Sequence, residues 1–305
     1  MAFRSIYSSQ LDNNRIREIF VKVKYSKKVS CNNCKDGRIV WLTERKFRCK
    51  NCWAIGSLTT KTWLENSKIP LRVWYELIWC FALTHSAHKA GRLLYIDPKL
   101  IWQSYQRIRL AILTQSLKER GKFTGIVEID ESYYGGLFKN LRKETRWKYR
   151  TEGIAKRGRG AKYRKQPVFG IYKRDGKVYL ELITECTKEE LEPIIKRKVK
   201  RETEVFSDTS TSYRGLVGLG YVHSSVDHGM EIYVDGAIHI NGMEGFWGLS
   251  KTNMHTYKGI KKKNWILYLK EMQLRYNNRK LDFTKMVEKI IGILMSYRRI
   301  SFVPY

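Results

Sequence analysis

The chain has 305 residues, and its 59 Lys plus Arg against 29 Asp plus Glu give a net charge of +30, which indicates a polyanionic partner. The hydrophobic content of 43% is enough for folded cores and excludes a disordered basic tail. Residues 1–20 contain no signal-peptide core, and the longest apolar stretches, Leu77–Leu83 and Ile290–Met295, are too short to span a membrane. We therefore expect neither a secreted nor a membrane-spanning protein.

Four of the six cysteines form two close pairs near the amino terminus. Two residues separate the members of each pair, and fourteen residues separate the pairs. This spacing is typical of one structural Zn²⁺ held by four thiolates, and the alternating segment 38–47 predicts a small hairpin between the pairs. We predict a zinc ribbon over residues 25–56, with four unrelated buried thiols as the alternative. The predicted zinc ligands are Cys31, Cys34, Cys49 and Cys52.

Apolar residues then recur at helical spacing from Pro70 to Ser116. Intervals of three and four predict a first helix that begins near Leu71, and the pattern repeats over Ala87–Leu94 and Pro98–Leu113. Short helices joined by tight turns are compatible with helix-turn-helix DNA binding, although helical bundles of any function share this pattern. We interpret residues 66–118 as a helical DNA-binding region.

The most basic segment, residues 139–166, also contains Trp147, Tyr149 and Tyr163 among its cations. A solvated loop is the ordinary interpretation of such a charge run. The interleaved aromatic residues and the basic character of the whole chain favour an insertion that follows DNA phosphates. The candidate DNA-binding residues in this segment are Lys143, Arg146, Lys148, Arg150, Arg157 and Arg159.

Short β-rich segments alternate with helical ones beyond Gly121, which predicts a mixed α/β sheet domain over residues 122–282. A carboxy-terminal helix and tail would follow over residues 283–305. The predicted strands are Gly125–Asp130, Val168–Tyr172, Lys177–Ile183, Glu204–Asp208 and Tyr221–Val226, with a hairpin turn at Asp175 and Gly176. The predicted helices are Lys188–Val199, Ser212–Val217, Asn241–Lys251 and Asn264–Tyr276.

Three carboxylates in this region are candidate metal ligands. Asp130 and Asp208 each end a predicted strand, and Glu244 lies on a predicted helix. Three such groups brought together would repel one another unless divalent cations lay between them, and oxygen ligands favour Mg²⁺ or Mn²⁺. Strand-end turns for the aspartates, and a capping box formed by Asn241 with Glu244, are the structural alternatives. Lys251 shares the helical stripe of Glu244, which suits a phosphate beside a metal.

Four ordered motifs give these carboxylates a wider context. They are residues 128–136 (EIDESYYGG), Ser207-Asp208 with Tyr213, the series His239, Asn241, Glu244, Trp247 and Lys251, and the series Tyr268, Glu271, Arg275, Asn277 and Arg279. Together with the cysteine pairs, they resemble the Merlin group of cut-and-paste DNA transposases and its bacterial insertion-sequence relatives with an ISXO2-like transposase domain. The resemblance covers about residues 25–280.

This resemblance implies an RNase H-like, retroviral integrase-type catalytic core of the DDE class, with Asp130, Asp208 and Glu244 as its acids. Some bacterial relatives have Asn or another residue in third place, so Asn241 is an alternative third ligand. Two Mg²⁺ or Mn²⁺ ions, about 3.5 to 4 Å apart, would activate water for strand cleavage and then the freed 3′-OH for attack on target DNA. Lys251 and Arg275 would hold phosphates, although pairing of Arg275 with Glu271 is equally compatible with their spacing.

The predicted function is a DNA transposase that binds double-stranded DNA at terminal inverted repeats and at a target, cleaves it and transfers strands. Because two ends must be joined, we expect a homodimer. The alternatives are a transposase-derived DNA-binding regulator without catalysis, and an RNase H-like nuclease that cuts without joining. The expected location is the nucleus in a eukaryotic host and otherwise the cytoplasm, at the nucleoid.

Overall fold

The computed structural model describes residues 11–25, 29–135, 141–153, 165–174, 176–226, 239–257 and 260–298. Within these ranges the chain divides into two compact units. The first contains the described residues up to Lys118 and those from Asn278 onward, and the second is Glu119–Asn277. Two candidate DNA-binding residues, Arg157 and Arg159, lie outside the described residues, as do the turn residue Asp175 and the tail beyond residue 298.

The first unit begins with helix α1 (Asn13–Tyr25) and a small antiparallel sheet. Its strands are β1 (Ile39–Trp41), β2 (Lys46–Cys49) and β3 (Ile55–Ser57), in the order β1-β2-β3. Strands β1 and β2 form the hairpin predicted between the cysteine pairs. Phe47 on β2 is fully buried, and the absence of a side chain at Gly56 leaves room for its ring.

Three helices follow in the first unit: α2 (Leu71–Ala82), α3 (Ala87–Leu94) and α4 (Pro98–Lys118). Helix α2 buries an apolar stripe that includes Trp74 and Phe81, as its spacing predicts. A three-residue turn joins α3 to α4, so the predicted succession of short helices and tight turns is present.

The second unit contains a five-stranded sheet and four helices among its described residues. In chain order the elements are β4 (Ile126–Tyr134), α5 (Lys143–Thr151), β5 (Gln166–Lys173), β6 (Val178–Leu182), α6 (Lys188–Lys198), β7 (Glu204–Asp208), β8 (Val222–Val226), α7 (Asn241–Thr256) and α8 (Trp265–Asn277). The strand order is β6-β5-β4-β7-β8. Strands β4, β5 and β6 pair antiparallel, whereas β7 and β8 continue the sheet in parallel with β4. The predicted mixed sheet is therefore present.

Three features of this unit differ from the sequence prediction. Strand β4 continues to Tyr134 instead of ending at Asp130, so Asp130 lies within the strand and not in a strand-end turn. The helix expected over Ser212–Val217 is replaced by two 3₁₀ turns, Thr211–Tyr213 and Val217–Leu219. Closely spaced glycines, including Gly220 at φ 85°, disfavour a continuous α-helix there. In the basic insertion, for which no helix was predicted, Lys143–Thr151 form helix α5, which buries none of its residues.

The sheet has a different partner on each face because successive strand side chains point to opposite sides. Val127 and Ile129 of β4 belong to a buried apolar cluster that includes residues of α6. Glu128, Asp130 and Tyr134 lie on the opposite face of β4, where α7 packs. Thus one face of the sheet packs on an apolar core and the other face is polar. The polar face carries the candidate acids Asp130 and Asp208, and α7, which carries Glu244, packs on it.

The edge strand β6 is covered by polar side chains of α8. Gln273 accepts a hydrogen bond from the amide of Leu180, and Asn277 bonds both the amide and the carbonyl of Val178. These contacts satisfy backbone groups that an edge strand otherwise exposes. The fourth sequence motif therefore has a structural role at the sheet edge.

The last described helix, α9 (Phe283–Met295), returns to the first unit, where it packs against α1, α2 and α4. Asp282 caps its first turn by accepting a hydrogen bond from the amide of Lys285. Its buried residues include Val287, Ile290 and Leu294. No helix among the described residues is long and apolar enough to cross a membrane.

Candidate active site and metal centre

Each cysteine pair of the first unit ends in the same backbone turn. The amide of Lys35 donates to the carbonyl of Cys31 at 3.0 Å, and the amide of Trp53 donates to the carbonyl of Cys49 at 3.1 Å. Lys35 and Trp53 both adopt the left-handed conformation, with φ of 62° and 61°. Because the turn is repeated, each pair presents its two thiols in the same way.

The four thiols converge on one point. Their Sγ atoms all lie within 4.8 Å of one another, with 3.5 Å between Cys31 and Cys52 and 3.5 Å between Cys34 and Cys49. Tetrahedral zinc with bonds of about 2.3 Å requires sulfur atoms about 3.8 Å apart. The backbone amide of Asp36 lowers the pKa of Cys34 to about 6, whereas burial and hydrogen bonds with the neighbouring thiols raise that of Cys49 to about 11, so the cluster divides its protons unequally. The predicted ligand set therefore fits one zinc ion.

In the second unit, the register of two parallel strands brings Asp130 and Asp208 together. Strand β4 pairs with β7 so that Glu128 lies opposite Phe206. Asp130 and Asp208 lie two residues further along β4 and β7, just beyond the last pair of the two strands. Both aspartates then have side chains on the same face of the sheet.

Helix α7 packs along this face and makes a polar contact at three levels of β4. The amide of Met243 donates to Glu128 at 2.8 Å, and the indole N–H of Trp247 donates to Asp130 at 2.9 Å. At the third level, the hydroxyl of Tyr134 donates to Ser250 at 2.8 Å. Glu244 lies on the same helix between the first two contacts.

Glycines permit this close approach of helix to sheet. Gly170 pairs with Asp130 across β4 and β5, and a Cβ atom at Gly170 would lie 2.3 Å from Met243 and 2.6 Å from Trp247. At the start of α7, a Cβ atom at Gly242 would lie 2.1 Å from the ring of Tyr172. Neither distance is compatible with a real side chain, so both glycines are required for the observed packing.

The carboxyl group of Asp130 lies in surroundings that disfavour its charged form. Burial, together with the charges of Asp208 and Glu244, raises the pKa of Asp130 to about 7. Asp130 on β4 is therefore close enough to Asp208 on β7 and to Glu244 on α7 for their charges to disfavour its ionisation. Lys251, one turn beyond Trp247, is partly desolvated, which lowers its pKa, and it is attracted by Asp130.

The carboxylates are less tightly gathered than the thiols. In the described part of the chain, the four cysteines are the only group of three or more His, Cys, Asp or Glu side chains close enough to share one ion. Asp130 is hydrogen bonded to Trp247, and Asp208 accepts a hydrogen bond from the amide of Ser210. The cluster nevertheless supplies the oxygen ligands and unbalanced negative charge that suit hard divalent cations.

Sequence reasoning did not identify Glu131 or assign a contact to Tyr213. The hydroxyl of Tyr213 donates to the carboxyl of Glu131, and this contact connects the turn after Asp208 to the residue after Asp130. Burial raises the pKa of Glu131 to about 7. The adjacent acids in the segment Asp130-Glu131 were the available signal, because alternation places them on opposite faces of one strand.

Glu128 begins the motif of residues 128–136, and the sequence did not indicate a role for it. It is fully buried, pairs with Arg174 at 3.0 Å and accepts from the amide of Met243. Arg174 also donates to the carbonyl of His239, just before α7. Glu128 thus holds the first turn of α7. The helix begins after Ile240 as its N-cap, so the capping box considered for Asn241 and Glu244 does not close this end of the helix.

The remaining candidate residues have different surroundings. Arg275 forms a 2.7 Å ion pair with buried Glu271, which is the structural alternative considered for it. The basic candidates on α5 lie at the surface, and Trp147 among them is 69% exposed. Those candidates are Lys143, Arg146, Lys148 and Arg150.

Comparison with known proteins shows which family the sequence matches. Residues 122–277, which span the whole five-stranded sheet with α7 and α8, match the family model of the ISXO2-like transposase domain. An uncharacterized protein in transposable element ISH50 of Halobacterium salinarum is 23% identical over 273 residues, which cover 87% of this chain and 91% of that protein. An uncharacterized transposase-like protein of Haemophilus influenzae is 34% identical over 102 residues, 33% of this chain and 82% of that protein.

The matched segment contains Asp130, Asp208 and Glu244, and it coincides almost residue for residue with the second compact unit. It makes up just over half of the chain, and the similarity to the Halobacterium protein extends beyond it into the first unit. The chain therefore belongs to the family of transposases with an ISXO2-like transposase domain.

Proposed function

We propose that the second unit is a DDE-type catalytic domain that cleaves the ends of a DNA element and joins them to target DNA, with Asp130, Asp208 and Glu244 as its acids. The observation that supports this assignment best is geometric: α7, which carries Glu244, packs on β4 through the 2.9 Å hydrogen bond from Trp247 to Asp130, and β7, the parallel neighbour of β4, ends at Asp208. Bringing carboxylates together costs free energy, and such arrangements are typical of functional sites, where bound cations offset the repulsion. The strand order, with three antiparallel and two parallel strands, also supports the RNase H-like core that we propose.

The chemistry consists of two phosphoryl transfers. Water first attacks a phosphodiester, and the bond from phosphorus to the 3′ oxygen breaks, which leaves a 3′-OH and a 5′ phosphate. That 3′-OH then attacks a target phosphodiester and displaces the 3′ oxygen of the target strand. Divalent cations bound by the acids, Mg²⁺ or Mn²⁺, would supply charge stabilisation of the attacking and leaving oxygens.

The surrounding residues have separate parts in this proposal. Trp247 orients the carboxylate of Asp130 through its indole N–H. Lys251, which lies close enough to be attracted by Asp130, is suited to hold a phosphate oxygen of the scissile strand. Asn241 is exposed at the start of α7 and remains the alternative third ligand.

The first unit has a DNA-binding part in the proposal. Its zinc ribbon over residues 25–56 and its helices over residues 66–118 would recognise the terminal repeats, and exposed cations on α5, in the second unit, would follow the phosphate backbone. A homodimer is proposed because two ends must meet. Since the two relatives are from an archaeon and a bacterium, we propose the nucleoid as the place of action, and the finer grouping with Merlin elements stays a prediction.

The test is cleavage and joining of DNA that carries the inverted repeats flanking the gene, with Mg²⁺ or Mn²⁺ and with the full-length chain. Asp208→Asn and Glu244→Gln keep the size of the side chain and remove its charge. We expect both substitutions to abolish the products, whereas Asn241→Ala should retain them. The exposed carboxylate Glu189 on α6 offers a matched control, since Glu189→Gln removes a charge outside the cluster.

Other outcomes would favour the alternatives. Cleavage without any joined product would indicate a nuclease. Tight, salt-sensitive binding of the ends without metal-dependent cleavage would indicate a regulator derived from a transposase. Loss of activity in Asn241→Ala with retention in Glu244→Gln would move the third ligand to Asn241.

A further inference from the structure

The helices α3 and α4 are joined by a short, defined turn of the kind that connects DNA-reading helices. Tyr95, the first residue of the turn between the helices, has a left-handed backbone at φ 55°, and its amide closes α3 by donating to the carbonyl of Gly91. The amide of Ile96 donates to the same carbonyl. This reversal within three residues is the connection found in helix-turn-helix units.

A small residue in α3 makes the tight turn possible. A Cβ atom at Gly91 would lie 2.9 Å from the carbonyl oxygen of Ile96 and 2.9 Å from the ring of Pro98. Asp97 caps α4 by accepting a 2.8 Å hydrogen bond from the amide of Lys99. Turn, glycine and cap together hold the first two turns of α4 in one orientation relative to α3.

The inner side of the pair is a well-packed core. Ala90 and Leu94 of α3 and Ile101 of α4 are fully buried, and Tyr105 is 3% exposed. The opposite side of the first two turns of α4 is therefore presented to solvent. Its exposed side chains are Lys99, Leu100, Trp102 and Gln103.

This exposed surface has the chemistry of a base-reading surface. Trp102 is 47% exposed and Leu100 is 38% exposed, which indicates a partner that covers apolar side chains. The Gln103 amide can pair with the edge of an adenine, and apolar side chains contact thymine methyl groups. The exposed cations of α3 and α4 are Lys89, Arg92, Lys99 and Lys118, and Asp97 is the one acid from Ser86 to Lys118, so the surface complements a polyanion.

We infer that α4 is the recognition helix of this protein and that Trp102 and Gln103 read base pairs in the major groove of duplex DNA. Helix α3 crosses the phosphate backbone, and its exposed Lys89 and Arg92 contact phosphates. This inference rests on the proposed binding of element ends and names the surface that distinguishes them. It does not involve the carboxylate cluster.

The experiment is selection of the full-length protein on a pool of duplexes with a randomised 20-base-pair centre, followed by sequencing and by competition binding against scrambled duplexes. We expect the wild type to enrich one motif. Gln103→Ala and Trp102→Ala should each lose the preference at a few adjacent base pairs, by about 5- to 150-fold per position, with little change in binding to scrambled DNA.

Gln115→Ala is the matched control, because Gln115 lies on the same helix about 18 Å further along its axis. It should enrich the wild-type motif. An unchanged motif in Gln103→Ala and Trp102→Ala, an equal loss in Gln115→Ala, or no motif with the wild type would each overturn the inference. Gln103 is exposed, so Gln103→Ala is expected to fold normally.

Metal-dependent nicking of a plasmid that carries the flanking inverted repeats, measured on the same preparations at saturating protein concentration, separates this inference from the proposed function. Nicking that persists in Gln103→Ala while the motif changes supports both. Nicking with an unchanged motif overturns the recognition helix alone, and a changed motif without nicking by the wild type overturns the catalytic proposal alone.

Discussion

The cysteine cluster and the carboxylate cluster bring like-charged ligands together in different ways. The thiols come from two short segments, and the same local turn at Lys35 and at Trp53 arranges each pair. The carboxyl groups come from β4, β7 and α7, and tertiary packing arranges them. Local backbone geometry is thus sufficient for the first cluster, whereas the second depends on the register of strands and the docking of a helix.

The difference shows where each cluster is vulnerable. Loss of one thiol removes a ligand from a preformed centre. The carboxylate geometry can be lost without substitution of any of the three acids, because other residues position α7 against the sheet. These residues are Glu128, Gly170 and Trp247. The carboxylate cluster therefore depends on more residues than it contains, and substitutions of those residues should separate the two clusters.

The largest expected effect is at the cysteine cluster. Cys49→Ser should abolish binding of one zinc per chain, measured by atomic emission, and should unfold the ribbon, because structural zinc contributes about 10 kcal/mol or more to such sites. Chelation of the wild type should have the same effect. Cys186→Ser, in the second unit, is the control and should keep its zinc. Full zinc content in Cys49→Ser would contradict the four-thiolate centre.

The next effect concerns the residue that holds α7. Glu128→Ala should lower the free energy of unfolding by about 3 to 5 kcal/mol, because it leaves Arg174 partly buried without its carboxylate and the Met243 amide without its acceptor. Chemical denaturation measures this effect. Glu152→Ala breaks an exposed ion pair with Lys148 and should cost less than about 1 kcal/mol. Equal costs for the two substitutions would show that Glu128 does not hold the helix.

The raised pKa of Asp130 predicts that the stability of the protein depends on pH. The pKa of Asp130 is about 7 in the folded protein and near 4 in an unfolded chain, so the folded form keeps this proton up to a higher pH. Stability from this group is complete below pH 4 and is lost as the pH rises through 7. Between about pH 5.5 and 8.5 the loss should be about 2 kcal/mol.

Asp130→Asn is the variant that checks this dependence. It should flatten the decline in unfolding free energy, and added Mg²⁺ at the higher pH should stabilise the wild type but not the variant. Denaturation series at several pH values, with and without Mg²⁺, provide the measurement. Parallel pH profiles for the two proteins would contradict the raised pKa of Asp130.

The two clusters also differ in how much of them the sequence predicts. The spacing of the cysteines was sufficient to predict all four thiols, because the ligands of each pair are three residues apart. The three acids are predicted from strand ends and from resemblance, although β4 continues past Asp130, and the partners of Asp130 were not predicted. Its contact with Trp247 depends on the docking of α7 onto β4, which joins residues 117 positions apart.

The same limit applies elsewhere in the fold. The helical pattern of Phe283–Met295 predicts an amphipathic helix, yet nothing in that pattern indicates that the helix packs with α1, α2 and α4 rather than with the preceding sheet. Likewise, Glu131 and Tyr213 are ordinary residues in sequence, and their contact follows from the turn after β7. Local periodicity predicts elements, whereas the partners of an element depend on long-range packing.

The smallest predicted effect tests the packing of α7 most directly, because it changes one methyl group and no charge. Gly170→Ala would place a carbon within 2.6 Å of both Met243 and Trp247, so we expect a loss of about 1.5 kcal/mol and displacement of α7 from Asp130. Gly245→Ala, in α7 itself, meets no atom within 4 Å and should instead gain about 0.5 to 1 kcal/mol from higher helix propensity. Indole fluorescence and denaturation measure both changes. Strand joining should fall in Gly170→Ala but not in Gly245→Ala, since the carboxylate geometry depends on how closely α7 approaches the sheet. If both variants retained joining and gained stability, the close approach at Gly170 would have no part in arranging the cluster.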